Sequence, residues 1–211
     1  MPHAAAPAGW DRRDFISGAA LLALVLGVPV AAAALSDLPA GEAPSERQRR
    51  LMREVAQLVV PRTDTPGAGD VGTAAFVILA LAHGLESSRA PSAGAAAPQL
   101  ARFRRGDGSL RHVAWLEHEL DRRAGGDFLR RPAKQRADTL AALDAEAFAE
   151  GVREHPWRTI KGLVLTGYYT SEAGATRELR YELVPGRFDA DLPLHPGDRA
   201  WSSDWTAVEF G

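Results

Sequence analysis

The 211 residues carry 25 basic and 27 acidic side chains, a formal net charge of −2 at neutral pH, and so no basic surplus of the kind that binds a nucleic-acid backbone. There is no cysteine, which excludes a disulfide framework, a thiolate-held iron–sulfur cluster, thioether-linked haem and a cysteine nucleophile. Any redox group serving this chain is therefore expected on another polypeptide or held without a covalent bond.

Residues 11–17 read Asp-Arg-Arg-Asp-Phe-Ile-Ser, and an apolar run extends from Ala19 to Leu35. The pair Arg12 and Arg13 followed by Phe15 has the pattern of a twin-arginine (Tat) export signal. Gly18, Gly27 and Pro29 make the run a mediocre permanent anchor. Ala31 and Ala33 supply an A-x-A site, with cleavage expected after Ala33. The Tat route carries proteins already folded. Residues 1–34 are assigned to this export segment, and the remainder is expected in the periplasm, membrane-associated if the leader stays attached.

Residues 35–44, with Pro39, Gly41 and Pro44, read as a linker. A helix is expected to start at Ser45, where Gln48 completes a capping box, and to present Leu51, Met52, Val55, Leu58 and Val59 on one face until Pro61 ends it. The turn-rich loop Thr63–Asp70 leads into a second apolar helix around Thr73–Leu85, and 87–98 reads as loop. A third helix is expected from a Ser109 cap to Arg123, burying Leu110, Val113, Leu116 and Leu120. Pro132 suits the first turn of a fourth helix that carries Leu140 and Leu143 and continues through Phe148. Pro156 suits the first turn of a fifth, with Trp157, Ile160, Leu163, Val164 and Tyr168 inward. Beyond Gly174 a short strand is expected at Arg180–Val184, and 185–211 shows little periodicity. The chain thus reads as mainly α: a small helical domain over 45–175, then an extended, irregular C-terminal tail over 176–211.

Motifs for chemistry are weak. Gly67-Ala-Gly69-Asp-Val-Gly72 matches G-x-G-x-x-G, but a dinucleotide fingerprint needs a strand running into its first glycine, and here a helix precedes it. His118-Glu119 opens an H-E-x-x-H pattern, yet Arg122 stands where the second imidazole is required. No catalytic, cofactor-binding or metal residue is assigned. Tyr168, Tyr169, Trp201, Trp205 and Phe210 form an aromatic excess near the C-terminus, the composition favoured at partner interfaces; the alternative is that they wrap the tail onto its own domain.

Val60-Pro-Arg-Thr-Asp-Thr-Pro-Gly-Ala-Gly-Asp-Val-Gly-Thr-Ala-Ala-Phe76 resembles the signature of the gluconate 2-dehydrogenase subunit 3 family, the small subunits of membrane-associated flavoprotein sugar dehydrogenases. Thr159–Gly174, followed by Leu183-Val-Pro-Gly186, is similar to that family's C-terminal half, with Thr170-Ser171-Glu172 marking a subgroup. The resemblance implies a non-catalytic subunit that accompanies a large FAD-binding catalytic subunit, aids its maturation and carries it through the Tat translocase. Electrons would then pass to a cytochrome c subunit or a quinone. No cofactor is implied on this chain; FAD is expected on the partner. Two other classes compete: a free-standing hydrolase using His118 and nearby carboxylates, and an exported helical binding or scaffold protein unrelated to redox chemistry. Co-purification with a yellow flavoprotein separates the first reading from both.

Overall fold

The computed structural model describes residues 35, 38, 41–91, 98–181, 191, 193 and 195–202. Five α-helices order the described residues: α1 (Glu46–Val59), α2 (Thr73–His83), α3 (His112–Arg123), α4 (Ala133–Ala147) and α5 (Pro156–Tyr169). Two short strands, β1 (Leu179–Tyr181) and β2 (Ala200–Ser202), pair in parallel, with Arg180 opposite Trp201.

The helix starts follow local chemistry. Ser45 Oγ accepts the Gln48 N–H at 3.1 Å and Gln48 Oε1 accepts the Ser45 N–H at 3.0 Å, so two donors orphaned by the start of α1 are satisfied reciprocally. At α5, Pro156 occupies the first turn, and Trp157 N–H donates to Nδ1 of the N-cap His155 at 3.2 Å. The α2 sequence, Thr-Ala-Ala-Phe-Val-Ile-Leu-Ala-Leu-Ala-His, is apolar nearly all round, which suits only a helix with neighbours on every side. It packs against both α1 and α5 and forms the middle of the core. Leu51, Met52 and Val55 of α1 meet it from one side, and Trp157, Ile160, Leu163, Val164 and Tyr168 of α5 from the other, all 0–1 % exposed. Each such side chain contributes about 1.5–3 kcal/mol by leaving water.

Four boundaries depart from the periodicity. Gly84 at φ 86° ends α2 at His83, before Leu85, in the left-handed conformation glycine adopts without strain. α3 begins at His112 and not at a Ser109 cap. Ser109 donates both its N–H (2.9 Å) and its hydroxyl (2.6 Å) to Asp107 Oδ1, and an antiparallel bridge between Arg104 and Leu110 keeps this stretch extended. The buried face of α3 is consequently His112, Trp115, Leu116 and Leu120, with Leu110 buried ahead of the helix and Val113 only partly covered. α4 stops at Ala147, leaving Phe148 as its C-cap and 48 % exposed. The expected strand at Arg180–Val184 begins one residue earlier, at Leu179.

The stretch expected to be a linker contributes to the core. Leu35 and Leu38 belong to the buried cluster, and Pro44 is buried. No helix among the described residues is long and apolar enough to cross a membrane. Arg12, Arg13, Phe15 and the A-x-A site lie outside the described residues.

Candidate functional site

The two stretches that carry the family resemblance meet in the fold. The first turns away from α1 at Pro61 and returns onto it. Ala68 N–H donates to Val60 O at 2.9 Å, Gly67 N–H to Asp70 Oδ2 at 2.9 Å, and Gly69 N–H to Gln57 Oε1 at 3.0 Å. A Cβ at Gly67 would stand 2.5 Å from Gln57 Nε2, and one at Gly69 would stand 2.8 Å from the Arg53 carbonyl oxygen. Glycine is required at both positions because the loop lies flat on α1. Gly72 serves differently: it sits at φ 83° as the N-cap of α2.

The second stretch closes over that loop. Tyr168 donates its hydroxyl to Pro66 O at 3.0 Å, Thr65 Oγ1 donates to the Glu178 carboxylate, and Gly167 lets Phe76 of α2 approach α5. A Cβ at Gly167 would lie 2.5 Å from Phe76 Cδ1. Past α5 the chain reverses at Gly174, where a Cβ would be 2.1 Å from the Tyr168 carbonyl oxygen. That oxygen already accepts Ser171 Oγ at 2.6 Å, and Ser171 Oγ in turn accepts Gly174 N–H at 3.2 Å. A single π-type turn, Gly174–Glu178, then delivers the chain to β1. The pair of motifs is therefore a joint that fixes where the C-terminal strands leave the helical domain.

This geometry tests the two weak motifs. The N–H groups of Gly67 and Gly69 are used within the protein, and α1 precedes them, so the loop does not fit a dinucleotide pyrophosphate. Around H-E-x-x, the His118 ring stacks obliquely on Phe103 at 5.5 Å and accepts from Arg102, while Glu119 is ion-paired to Arg122 and Arg123, each at 2.6 Å. Burial pushes the Glu119 carboxyl up, but the hydrogen bonds from the two guanidiniums outweigh it and hold it below its ordinary value. These residues form a structural ion-pair chain that Arg123 extends to Glu146. Among the described residues, no group of three His, Asp or Glu side chains is arranged to hold a metal ion.

The aromatic residues assigned to a partner interface separate. Tyr168 is 1 % exposed and belongs to the core, because its hydroxyl is spent on Pro66. Tyr169 beside it is 38 % exposed, its ring edge-on to Tyr168. Trp201 on β2 is 40 % exposed, with the Arg180 guanidinium 4.1 Å above its ring. Trp205 and Phe210 lie outside the described residues. Sequence reasoning missed Phe148, exposed between Arg158 (4.5 Å) and Lys161 (4.7 Å); the Pro-free approach to the end of α4 gave no sign that the helix would stop there.

A cleft of about 900 Å3 opens between the Glu86–Pro91 stretch, α3 and the start of α5, lined by Leu110, His112, Trp115 and His155 among others. Glu86 and Ser87 at its edge hold φ 53° and 56°, a left-handed conformation that costs energy in residues with a Cβ. His112 donates from Nδ1 to Leu110 O at 3.0 Å and is buried enough that its pKa falls from 6.5 to about 4. Burial also lowers His155. The unfolded chain thus takes up protons first as the pH falls. Stability is whole above pH 6.5 and is lost toward pH 4, by about 3 kcal/mol for His112 alone. His112→Asn, which keeps a donor for Leu110, is expected to flatten that slope in urea titrations run from pH 7 to pH 4.5. An unchanged slope would place the acid sensitivity elsewhere.

Neither the curated proteins nor the solved structures returned a match. The family model for gluconate 2-dehydrogenase subunit 3 matches residues 46–186, a span that begins at the first residue of α1 and takes in both halves of the joint. The chain belongs to the gluconate 2-dehydrogenase subunit 3 family, and with it to the small subunits of sugar dehydrogenase complexes.

Proposed function

We propose that this chain is the non-catalytic small subunit of a periplasmic FAD-dependent sugar dehydrogenase, and that it assists maturation of the catalytic flavoprotein and takes it through the Tat translocase. The observation that carries the reading is the family match over the whole helical domain, preceded in the same chain by the Arg12-Arg13 leader. The rigid joint supports a docking role. It fixes β1 and β2 to the domain and leaves Tyr169 and Trp201 exposed, a pair of residue types enriched where proteins meet. FAD belongs to the partner in this reading, and the Gly67–Gly72 loop supports it, since its Gly67 and Gly69 N–H groups are spent on Asp70 and Gln57.

Co-expression with a candidate FAD-dependent dehydrogenase subunit from the same genome tests the proposal. The chain should co-purify with a yellow partner, and Arg12→Lys with Arg13→Lys should strand both in the cytoplasm. A flavoprotein that still reaches the periplasm would remove the escort role. Trp201→Ala with Trp205→Ala is expected to weaken the complex at least ~30-fold, about 2 kcal/mol, with little change in the melting temperature of the isolated subunit. If the double variant instead unfolds the subunit and leaves affinity intact, the tail is part of this domain's own core.

A further inference from the structure

Gly162 stands in the middle of α5 without a cause inside the described fold. Glycine weakens a mid-helix position because it loses more backbone freedom on folding than any other residue. Gly167 has a cause, the close approach of Phe76, whereas nothing lies within 4 Å of the Cβ that Gly162 lacks. At 3.6 residues per turn, Arg158, Gly162, Leu165, Thr166 and Tyr169 form one outward line about 16 Å long, opposite the buried Ile160, Leu163, Val164 and Gly167. Of the large apolar side chains exposed among the described residues, two belong to this face. Tyr169 ends the line, and Phe148 lies at its start against Arg158 and Lys161.

The line is shaped to take a helix. A side chain of a facing helix enters a hole formed by residues at i, i+3, i+4 and i+7. Two successive holes, Arg158/Lys161/Gly162/Leu165 and Gly162/Leu165/Thr166/Tyr169, share the glycine. Its missing side chain deepens both and lets two backbones come close. The charges define the partner further. Asp144 neutralises Lys161 at 2.8 Å, whereas the hydrogen bond of Arg158 among the described residues is to a neutral acceptor, Ala147 O at 2.7 Å. α5 has no acidic residue, so a second copy of this helix has no carboxylate to offer Arg158. A lipid surface would meet the outermost atoms and gain nothing from a notch. A chain of this family has other subunits to meet. We propose that the outer face of α5 seats a helix of the catalytic subunit, which crosses at Gly162 and brings a carboxylate to Arg158. The proposal rests on the reading of this chain as the small dehydrogenase subunit, and adds to it the contact surface and the chemistry of the segment that docks there.

The test uses the full chain co-expressed with a candidate FAD-dependent dehydrogenase subunit from the same genome. Gly162→Ala should weaken the complex roughly 10-fold while the melting temperature of the isolated subunit rises slightly, opposite signs that a merely structural glycine would not give. Gly162→Leu, which has open space on the free subunit, should leave its melting curve cooperative and weaken the complex on the order of 100-fold by filling both holes. Arg158→Gln should weaken it by a smaller factor, and added salt should reduce the difference. A photo-crosslinking benzoylphenylalanine placed at Thr166 should form its adduct with the flavoprotein. An adduct with a second copy of this chain or with lipid alone overturns the inference, and so does a Gly162→Leu complex of unchanged affinity. If wild type forms no complex at all, the subunit reading itself falls and this surface falls with it.

Discussion

Gly174→Ala is expected to lower the melting temperature by about 10 °C, whereas Gly162→Ala in α5 should raise it slightly. The two glycines lie in one motif stretch and differ only in what surrounds them. A Cβ at position 174 would come within 2.1 Å of the Tyr168 carbonyl oxygen, which is backbone and is held by Ser171, so the whole corner must open. Displacements of that kind cost about 3 kcal/mol, and for a domain of this size each kcal/mol moves the midpoint by roughly 2–4 °C. Gly162 is exposed, mid-helix, with nothing within 4 Å of the Cβ it lacks. Alanine there restricts only the unfolded chain and should contribute about 0.5–1 kcal/mol. Gly167→Ala should fall between them, since Phe76 has limited room to withdraw. Calorimetry of the three variants measures the contrast. Equal and small effects would mean that the corner is looser than its contacts require.

Arg47→Met should cost about 2–3 kcal/mol, and the loss should shrink as the pH falls. Arg47 is the hub between α1 and the rest. One guanidinium nitrogen donates to Glu117, and another donates to Asp121 at 2.8 Å and to Asp127 at 2.9 Å. The acceptors have further duties: Asp121 Oδ1 also accepts Phe128 N–H at 2.8 Å, and Asp127 Oδ1 caps the turn at Leu129 N–H, 3.1 Å away. Methionine keeps the aliphatic stem but leaves three carboxylates facing one another. Breaking a fully buried pair costs about 3–5 kcal/mol, and here the side chains are 23–39 % exposed, so water screens part of it. The hydrogen bond from Arg47 holds the Asp127 carboxyl below its usual range. That stability is present at neutral pH and is lost as the pH falls through the folded pKa, while protonation relieves repulsion in the variant. Denaturation curves of the two proteins should therefore converge toward pH 3. A gap that persists there would assign the effect to packing.

Much of this fold was legible as pattern. The capping box at Ser45, Pro156 in the first turn of α5, and the inward face of α5 all follow from short-range chemistry, and the structure keeps them, whereas Pro132 stands just ahead of α4 as its N-cap and not in its first turn. What pattern alone left open or missed was decided by particular contacts, near and far in the chain. Ser109 looked like a cap because hydroxyls cap helices, but Asp107 two residues away offered it a better partner. Tyr168 had two readings, on the inward face of α5 and among the interface aromatics, and it is buried, with Pro66 O accepting its hydroxyl. The glycine loop resembled a phosphate cradle in letters alone, and the Gln57 side chain that fills it comes from the preceding helix. The joint itself was legible only as two separate resemblances, since nothing in either stretch names the other. The parallel pairing of β1 with β2 had no signal in the tail's composition.

The all-round apolar character of α2 also sets a clock. Its outer face is sealed by α5, whose last residue, Tyr169, leaves the ribosome long after His83 has done so. At about 5–20 residues per second the wait is on the order of 10 s, during which Phe76, which packs at Gly167 in the finished fold, lacks the cover of α5. A nascent chain in that interval is a chaperone client and an aggregation hazard. Any variant that slows the docking of α5 prolongs the exposure, and would be expected to reduce yield before it reduces the stability of the finished protein.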